Sequence, residues 1–353
     1  MYNISKYIYK GDYMGIYTYD GWVNIPFIID KYNPVVCVLA GGRGIGKTYN
    51  VLDYCFHTNP GKYFYLRRTQ EEVETCCNDE LNPFRELNTV YGDDIHFEKV
   101  KKLYKIVNDD RVLGVASSLS SVGKVRGMSG TDYTGIIFDE CVKPMNARRI
   151  MKDEGFEFLN LYETLNRNRE LQGKPALRAF LLTNSNFMGN DLYMSLNLIK
   201  PATRIKSSGK YPGIYYNNGL LYIDFGDSSP ISEMKRKQSA IYQISNNKSY
   251  NDMALNNEYI AEDYTSNIRP YAPLIEYTPI AKISHICIYQ HKSKAEYYIC
   301  NKTQGSPKLY NEDYISKERF KRDFAWLYFC YLSGGMVYFN NYDNEIFFQN
   351  LFK

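Results

Sequence analysis

The sequence predicts an α/β fold in which a mostly parallel sheet with flanking helices surrounds a phosphate-binding loop, followed by a small α+β unit. Three observations predict it. Over residues 1–200, short continuous apolar runs alternate with polar helical stretches, the pattern of strands buried on both faces and covered by helices. One of these runs leads straight into a glycine-rich loop and a helix. Another ends in a pair of acids.

The first run is Val35–Ala40 (VVCVLA). It enters Gly41-Gly42-Arg43-Gly44-Ile45-Gly46-Lys47-Thr48, which fits GxxxxGK[ST] at every fixed position. Glycines let such a loop curl so that successive backbone N–H groups face the phosphates of a nucleotide such as ATP. Lys47 is then placed to reach the β- and γ-phosphates, and the Thr48 hydroxyl to hold Mg²⁺. The helix opened by Thr48-Tyr49-Asn50-Val51-Leu52 is the context this mechanism needs. A glycine-rich turn without a ligand is the alternative, and the acids further along argue against it.

Tyr63–Leu66 reads as the next strand. Ile95–Ser117 is more polar and reads as antiparallel hairpins rather than core. Lys99, Lys101, Lys102 and Lys105 lie on one hairpin. Such a run is a solvated face unless it lines a pore, where it would neutralise DNA phosphates. The glycine- and serine-rich loop Ser117–Gly130 carries Lys124 and Arg126. These two cations suit a phosphate of ATP or DNA, or simply solvent.

Gly135–Phe138 is a strand ending in Asp139-Glu140. Asp139 is expected to hold the magnesium, and Glu140 to polarise the attacking water. An acid directly after that aspartate is the arrangement of hydrolysing ATPases, so the prediction narrows to a P-loop NTPase of the ASCE type. Next comes Asn166-Arg167-Asn168-Arg169-Glu170. Arg167, and after it Arg169, is a candidate to stabilise charge in a neighbouring subunit's transition state. From residue type alone, a helix-terminal arginine paired with local acids is the commoner reading. The strand Ala179–Leu182 ends in Thr183-Asn184-Ser185-Asn186, where Thr183 and Asn184 are candidates to sense the γ-phosphate. An ordinary Asn/Ser turn is the alternative there.

Around Lys200-Pro201 the character shifts to turn-rich sequence, with a short helix expected over Ser232–Ile244. From Pro270 a second unit is expected, with strands at Ile283–Tyr289 and Tyr297–Cys300. A helix over Ser316–Tyr331, ending at Gly334-Gly335, and a strand at Met336–Phe339 would complete it. The expected division is an ATPase domain over 1–200, a linker or lid over 201–269, and a nucleic-acid-binding domain over 270–353.

Composition excludes little else. The chain has 353 residues, 44% hydrophobic and 23% charged, with a net charge of +4. That is an ordinary globular balance which permits a nucleic-acid partner without demanding one. The 8 cysteines form no CxxC pair, so neither a zinc site nor a disulfide framework is expected, and a reducing cytosol is the natural compartment. The segment MYNISKYIYKGDYMG lacks an apolar h-region. No stretch approaches the roughly 18 apolar residues of a membrane span, so the expectation is a protein without a membrane partner.

The segments GGRGIGKT, YLRR (Tyr65–Arg68), GIIFDE, NRNRE and LLTNSN, in this order and spacing, resemble the DNA-packaging ATPases of φ29-type phages, a group of terminase-like ring motors. The resemblance is close over residues 35–190 and looser over the C-terminal third. It implies ATPase roles for Lys47, Thr48, Asp139 and Glu140, and it sets Arg43 at a position typical of the group. It places Arg167 on the family's trans-acting arginine, and Arg126 where the family can carry a trans-acting lysine. It further implies translocation of double-stranded viral DNA by a ring of five subunits docked on the portal, or connector, of a procapsid. Some members need a packaging RNA. The place of action would be the host cytoplasm at the portal vertex, and not the mature virion.

Large terminases add an RNase H-like nuclease in which clustered acids bind two metals. The β–β–helix–β pattern after residue 270 reads as a reduced form of that fold. The stretch Ser284–Gln290 carries no acid, and Asp224, Asp227, Glu296, Glu312 and Asp313 form no cluster in the sequence. Nuclease activity is therefore expected to be absent, with Lys317, Arg319, Lys321 and Arg322 either contacting phosphates or solvating a helix. The rival readings are a large terminase with a working nuclease, a replication helicase or loader, and a structural protein that binds ATP without turnover.

Overall fold

The apolar runs become the inner strands of a nine-stranded sheet. The computed structural model describes residues 15–100, 103–124, 132–142, 150–151, 153–184, 190–226, 229–231, 234, 267–294, 296–332 and 337–352. Two compact units divide the chain, residues 1–260 and 261–353. The first begins with α1 (Ile25–Tyr32), β1 (Val36–Ala40), α2 (Lys47–Asp53), β2 (Lys62–Arg67), α3 (Gln70–Cys76) and α4 (Arg85–Tyr91). It continues with β3 (Ile95–Val100), β4 (Leu103–Asn108), β5 (Arg111–Ser118), β6 (Tyr133–Phe138) and α5 (Glu154–Asn166). It closes with β7 (Arg178–Thr183), α6 (Asp191–Ser195), α7 (Ile199–Ser208), β8 (Gly213–Asn217) and β9 (Leu220–Asp224).

The strand order is β3-β4-β5-β2-β6-β7-β1-β9-β8. From β5 to β9 all neighbours run parallel, as continuous apolar runs require. Helix starts follow from local chemistry. The Asn24 side chain accepts from the Phe27 N–H at the head of α1, and Thr69 and Glu72 form a capping box on α3. One face of the sheet packs Cys37, Leu39, Tyr65 and Ile137 against Ile28, Val51, Leu52, Val73 and Leu87 from α1 to α4. Elsewhere, Phe158 of α5 stacks on Phe138 with ring centroids 5.7 Å apart.

Two expectations change here. Residues 95–117 do form antiparallel hairpins, but they belong to the sheet and to its core. β5 pairs parallel with β2, and Tyr104, Ile106 and Ala116 are buried, because one face of this meander carries apolar residues at alternate positions. The expected domain end at residue 200 and the linker over 201–269 are also corrected. Leu220–Phe225 (LLYIDF) is one more buried apolar run, and it pairs parallel with β1 from Val36↔Leu220 to Ala40↔Asp224. Turn residues on either side concealed it. The helix expected over Ser232–Ile244 lies outside the described residues, apart from Met234.

The second unit contains β10 (Tyr277–Ile283), β11 (Ile286–His291), β12 (Tyr297–Cys300), β13 (Lys308–Tyr310), α8 (Tyr314–Leu332), β14 (Val337–Phe339) and α9 (Tyr342–Leu351). Its five-stranded sheet has the order β13-β10-β11-β12-β14. The expected strand Ile283–Tyr289 is instead the tip and second arm of a hairpin. Ile283 pairs with Ile286, and Ser284, at φ +52°, makes the tight turn that a two-residue connection demands. Phe320, Phe324, Leu327, Phe348 and Leu351 from the two helices pack on Ile283, Ile288, Ile299 and Phe339. Gly334-Gly335, expected to end α8, lie outside the described residues. Among the described residues no helix is long and apolar enough to cross a membrane.

Candidate functional site

Because the central strands are parallel, the segments after β1, β2, β6, β7 and β9 emerge along one edge, where open α/β sheets bind ligands. After β1 the chain turns at Gly41, whose N–H donates to the Thr183 carbonyl at 3.3 Å. It then curls through Gly44 (φ +71°) and Gly46 (φ +86°) into α2. A Cβ on Gly41 would stand 2.9 Å from the Phe225 Cβ, and one on Gly46 would stand 2.5 Å from the Asn50 amide. Glycine is therefore required at both positions. The curl closes around the Lys47 ammonium, which donates to the carbonyls of Gly41 (2.8 Å) and Gly42 (2.7 Å). Burial pushes Lys47 down to about 8, against the pull of Glu140, Asp139 and Asp224 in the other direction. Ile45 anchors the loop in the core, while Arg43 is exposed at its tip.

Asp139 follows β6 and is the most heavily bonded acid of the site. The Thr48 hydroxyl donates to its Oδ1 at 3.1 Å. The Tyr65 hydroxyl and the Arg67 guanidinium donate to Oδ2 at 3.0 and 2.8 Å. Register explains the meeting, since Leu66 lies opposite Phe138, so Arg67 at the end of β2 comes beside Asp139, the first residue after β6. A hydroxyl and a carboxylate side by side at the end of such a loop fit Mg²⁺, a hard cation that takes oxygen ligands.

Glu140 has φ +53°, uncommon for a side-chain-bearing residue, and the turn brings its carboxylate back towards the loop. Its N–H donates to Asp139 Oδ1 at 3.1 Å, and the next residue's N–H, that of Cys141, donates to the Leu182 carbonyl at 2.9 Å. Asn184, just beyond β7, donates its amide to Glu140 Oε1 at 2.7 Å. Burial, and then the charge of Asp139, push the Glu140 carboxyl up, outweighing Arg67, Arg43 and Lys47. A carboxylate raised and held in this way can accept a proton from water. Thr183 is buried directly before Asn184.

The structure does not bring Arg167 and Arg169 to this edge. Arg169 donates to the carbonyls of Pro175 (3.0 Å) and Tyr133 (2.8 Å). Tyr133 begins β6 and Glu140 lies beyond its end, a separation on the order of 20 Å. Arg169 thus staples the α5–β7 connection to the start of β6. Arg167, at φ +46°, ends α5, and its Nε donates to the Thr164 carbonyl at 3.3 Å. Neither reaches the phosphate loop of its own chain. Arg126, Lys101, Lys102, Ser185, Asn186 and the side chain of Lys124 lie outside the described residues. Lys99 sits on edge strand β3, 3.8 Å from Glu74. Lys105, exposed on β4, is cross-strand from Glu98. Both lie towards the far edge of the sheet, on the other side of β5 and β2 from β6.

Sequence reasoning assigned no role to four residues that shape the site. Tyr65 and Arg67 hold Asp139, and Asp224, the last residue of β9 on β1's other side, accepts from the Gly226 N–H at 2.9 Å. Arg68 is buried and donates through Nε and Nη2 to both Glu154 oxygens at 2.8 Å, tying the end of β2 to the head of α5. The available signal was YLRR, two cations closing a strand that neighbours the one ending in acids.

The family described as Podovirus DNA encapsidation protein (Gp16) matches residues 23–269. The DNA packaging proteins of Bacillus phages PZA and phi29 are each 24% identical to this chain, over 237 and 235 residues. Those alignments cover 66% of this chain and 65% and 64% of the relatives, just under two thirds of their length. Among solved structures, the Phi-28 gp11 DNA packaging motor is similar with a TM-score of 0.62 at 20% identity, over 93% of this chain and 97% of that one. The bacteriophage Phi-29 viral genome packaging motor assembly gives 0.64 at 17% identity, over 94% and 98%. At such identities the structural likeness establishes the fold, a mixed α/β architecture with a large, mostly parallel sheet.

Proposed function

Because this chain belongs to the podovirus DNA encapsidation protein (Gp16) family, we propose that it is a magnesium-dependent ATPase that drives double-stranded viral DNA into a procapsid. The observation that carries the reading is the convergence of Lys47, Thr48, Asp139, Glu140 and Asn184 at neighbouring strand ends. In this reading the first unit is a P-loop NTPase of the ASCE type. The backbone of Gly41–Gly46 and Lys47 bind the triphosphate, with Arg43 at the loop's tip. Thr48 and Asp139 hold Mg²⁺, which supplies neutralisation of charge on the phosphate oxygens. Glu140, oriented by Asn184, takes the proton from the attacking water.

Arg167 is assigned to a neighbouring subunit's site; the reading is supported by its place at the end of α5, the helix whose head, at Glu154, is the end tied to Arg68. That assignment needs a ring of subunits. Support comes from the Phi-29 relative, which is a packaging motor assembly. Five subunits on a portal, with or without a packaging RNA, acting in the host cytoplasm, complete the proposal.

We assign the second unit to nucleic-acid binding, as a reduced RNase H-like unit without nuclease chemistry. Among the described residues, four of its acids are taken up by structural partners. Glu296 is bonded by Arg269 and Tyr277, Asp313 caps α8 through the Ser316 N–H, and Asp323 is held by Lys308 and Tyr310. Glu345 is buried against Tyr331. On α8, Lys321 pairs with Glu318 at 2.9 Å and Arg322 with Asp323 at 3.3 Å, so Lys317 and Arg319 are the better phosphate contacts.

The test is protection of duplex DNA from nuclease inside procapsids. Wild-type protein with ATP should protect it, and Lys47→Ala should not. ATP-dependent protection by Lys47→Ala, or manganese-dependent DNA cutting that is lost when acids of the second unit are changed, would contradict the assignment.

A further inference from the structure

A tight hairpin lies across the outside of the phosphate loop, and none of the roles above uses it. Tyr17 and Val23 pair as an antiparallel bridge. The Thr18 N–H donates to the Trp22 carbonyl at 2.7 Å, and the Asn24 N–H to the Ile16 carbonyl at 2.8 Å. The returning arm is bonded to the loop itself through the Val23 N–H and the Ile45 carbonyl, at 3.1 Å. Val23 is fully buried and Asn24 caps α1. The turn is gripped from its other side, because a Cβ on Gly21 would stand 2.8 Å from the Pro230 Cβ, and Ser229 donates to the Gly21 carbonyl at 3.4 Å.

Trp22 sits between these two anchors. Its ring reaches within 3.1 Å of the place a Cβ on Gly46 would take, beside the last glycine before Lys47. The side chain is nevertheless 36% exposed. The backbone on both sides of it is fixed, and the indole lies beside Gly46 with part of its surface open to solvent next to the loop. A triphosphate bound in Gly41–Thr48 carries a flat, polarisable base at its other end. An aromatic face held this close is the chemistry that recognises such a ring, and stacking of this kind tolerates variation in the base's hydrogen-bonding edge.

We infer that Trp22 stacks on the base of the bound nucleoside triphosphate and favours the larger purine ring. This rests on the reading of Gly41–Thr48 as a triphosphate cradle. Because the face of the ring rather than a hydrogen bond supplies the contact, Trp22→Tyr should keep most of the effect and Trp22→Ala should lose it.

The chain has 2 tryptophans, and the other, Trp326, lies on α8 in the second unit. The full-length Trp326→Phe protein therefore reports Trp22 alone. Mg·ATP should quench its emission saturably. Mg·tripolyphosphate should compete with ATP for the site but leave the emission unchanged. Trp22→Ala should raise KM for ATP about tenfold at unchanged kcat, leave competition by tripolyphosphate unaltered, and be largely rescued in Trp22→Tyr. Equal quenching by tripolyphosphate, or an unchanged KM in a folded Trp22→Ala protein, would overturn the inference while leaving the cradle intact. If neither compound bound the wild type, the cradle reading would fall, and this inference with it.

Discussion

The Asn184 amide donates to the Glu140 carboxylate at 2.7 Å, linking the residue after β7 to the second residue after β6. The two strands are neighbours in register, with Phe138 opposite Leu181, so the bond closes across adjacent strand ends. It fixes one oxygen of a carboxylate that left-handed backbone has already turned towards Lys47. Asn184→Ala should therefore lower kcat for ATP hydrolysis by about 10- to 100-fold, as expected when a general base loses its orientation, with little change in KM. A steady-state ATPase assay checks this. A rise in KM at unchanged kcat would mean that Asn184 contacts substrate and does not position the base.

The site should show an unusual alkaline limb. Lys47, pushed down to about 8 by burial, must be protonated to attract phosphates. kcat/KM for ATP, which reports the free enzyme, should fall as pH rises through about 8, while kcat stays flat because bound phosphates restore the proton. The stability sign is opposite. Between about 8 and the ordinary lysine value of 10.5, the folded protein binds fewer protons at this group than the unfolded chain does. Lys47 alone therefore makes stability rise with pH across that window. On the acid side, burial and Asp139 raise the Glu140 carboxyl. The acid limb of kcat/KM should therefore lie above the usual glutamate range.

The buried pair Arg68–Glu154 holds the end of β2 to the head of α5. Arg68→Ala leaves a buried carboxylate unpaired and should destabilise the first unit by about 3–5 kcal/mol, measured by urea unfolding. Changing both residues to apolar ones of similar volume should recover much of that loss. Equal loss in the single and double variants would mean that packing, and not charge pairing, sets the cost.

Arg167 should act between subunits. Arg167→Ala alone should lose most DNA-stimulated hydrolysis. Mixing it with the Lys47→Ala protein should restore activity, because a mixed ring contains junctions with one intact phosphate loop and one intact arginine. Normal hydrolysis by Arg167→Ala alone, or no recovery on mixing, would count against a shared site.

The parallel core was legible because strands buried on both faces are uninterrupted apolar runs. The glycine loop before α2 was legible because its left-handed turns at Gly44 and Gly46 fix the residue type at fixed spacing. Asp139, Glu140 and Asn184 were legible as strand-end polar residues, although nothing in the sequence tells that Asn184 bonds Glu140, a contact made by strand order. β9 escaped because flanking turn residues suggested a linker. The β10–β11 hairpin escaped because a serine and a histidine, rather than Asn-Gly, make its turn. Arg67 and Arg68 could be seen as cations, but their partners Asp139 and Glu154 are far along the chain and are brought near only by the sheet and by α5. Arg169 was read as a catalytic candidate from its place in NRNRE. Its bonds to the Tyr133 and Pro175 carbonyls depend on loop geometry that sequence does not encode locally.

The most direct test of the central claim is steady-state ATP hydrolysis by Glu140→Gln beside the wild type, with nucleotide binding measured on the same proteins. The substitution keeps the size of the side chain and its contact with Asn184 but removes the base. Glu140→Gln should bind Mg·ATP about as tightly as wild type and turn it over about 10²–10⁴-fold more slowly. Wild-type turnover no faster than that of Glu140→Gln would contradict the claim, and would leave a protein that binds the nucleotide without using it.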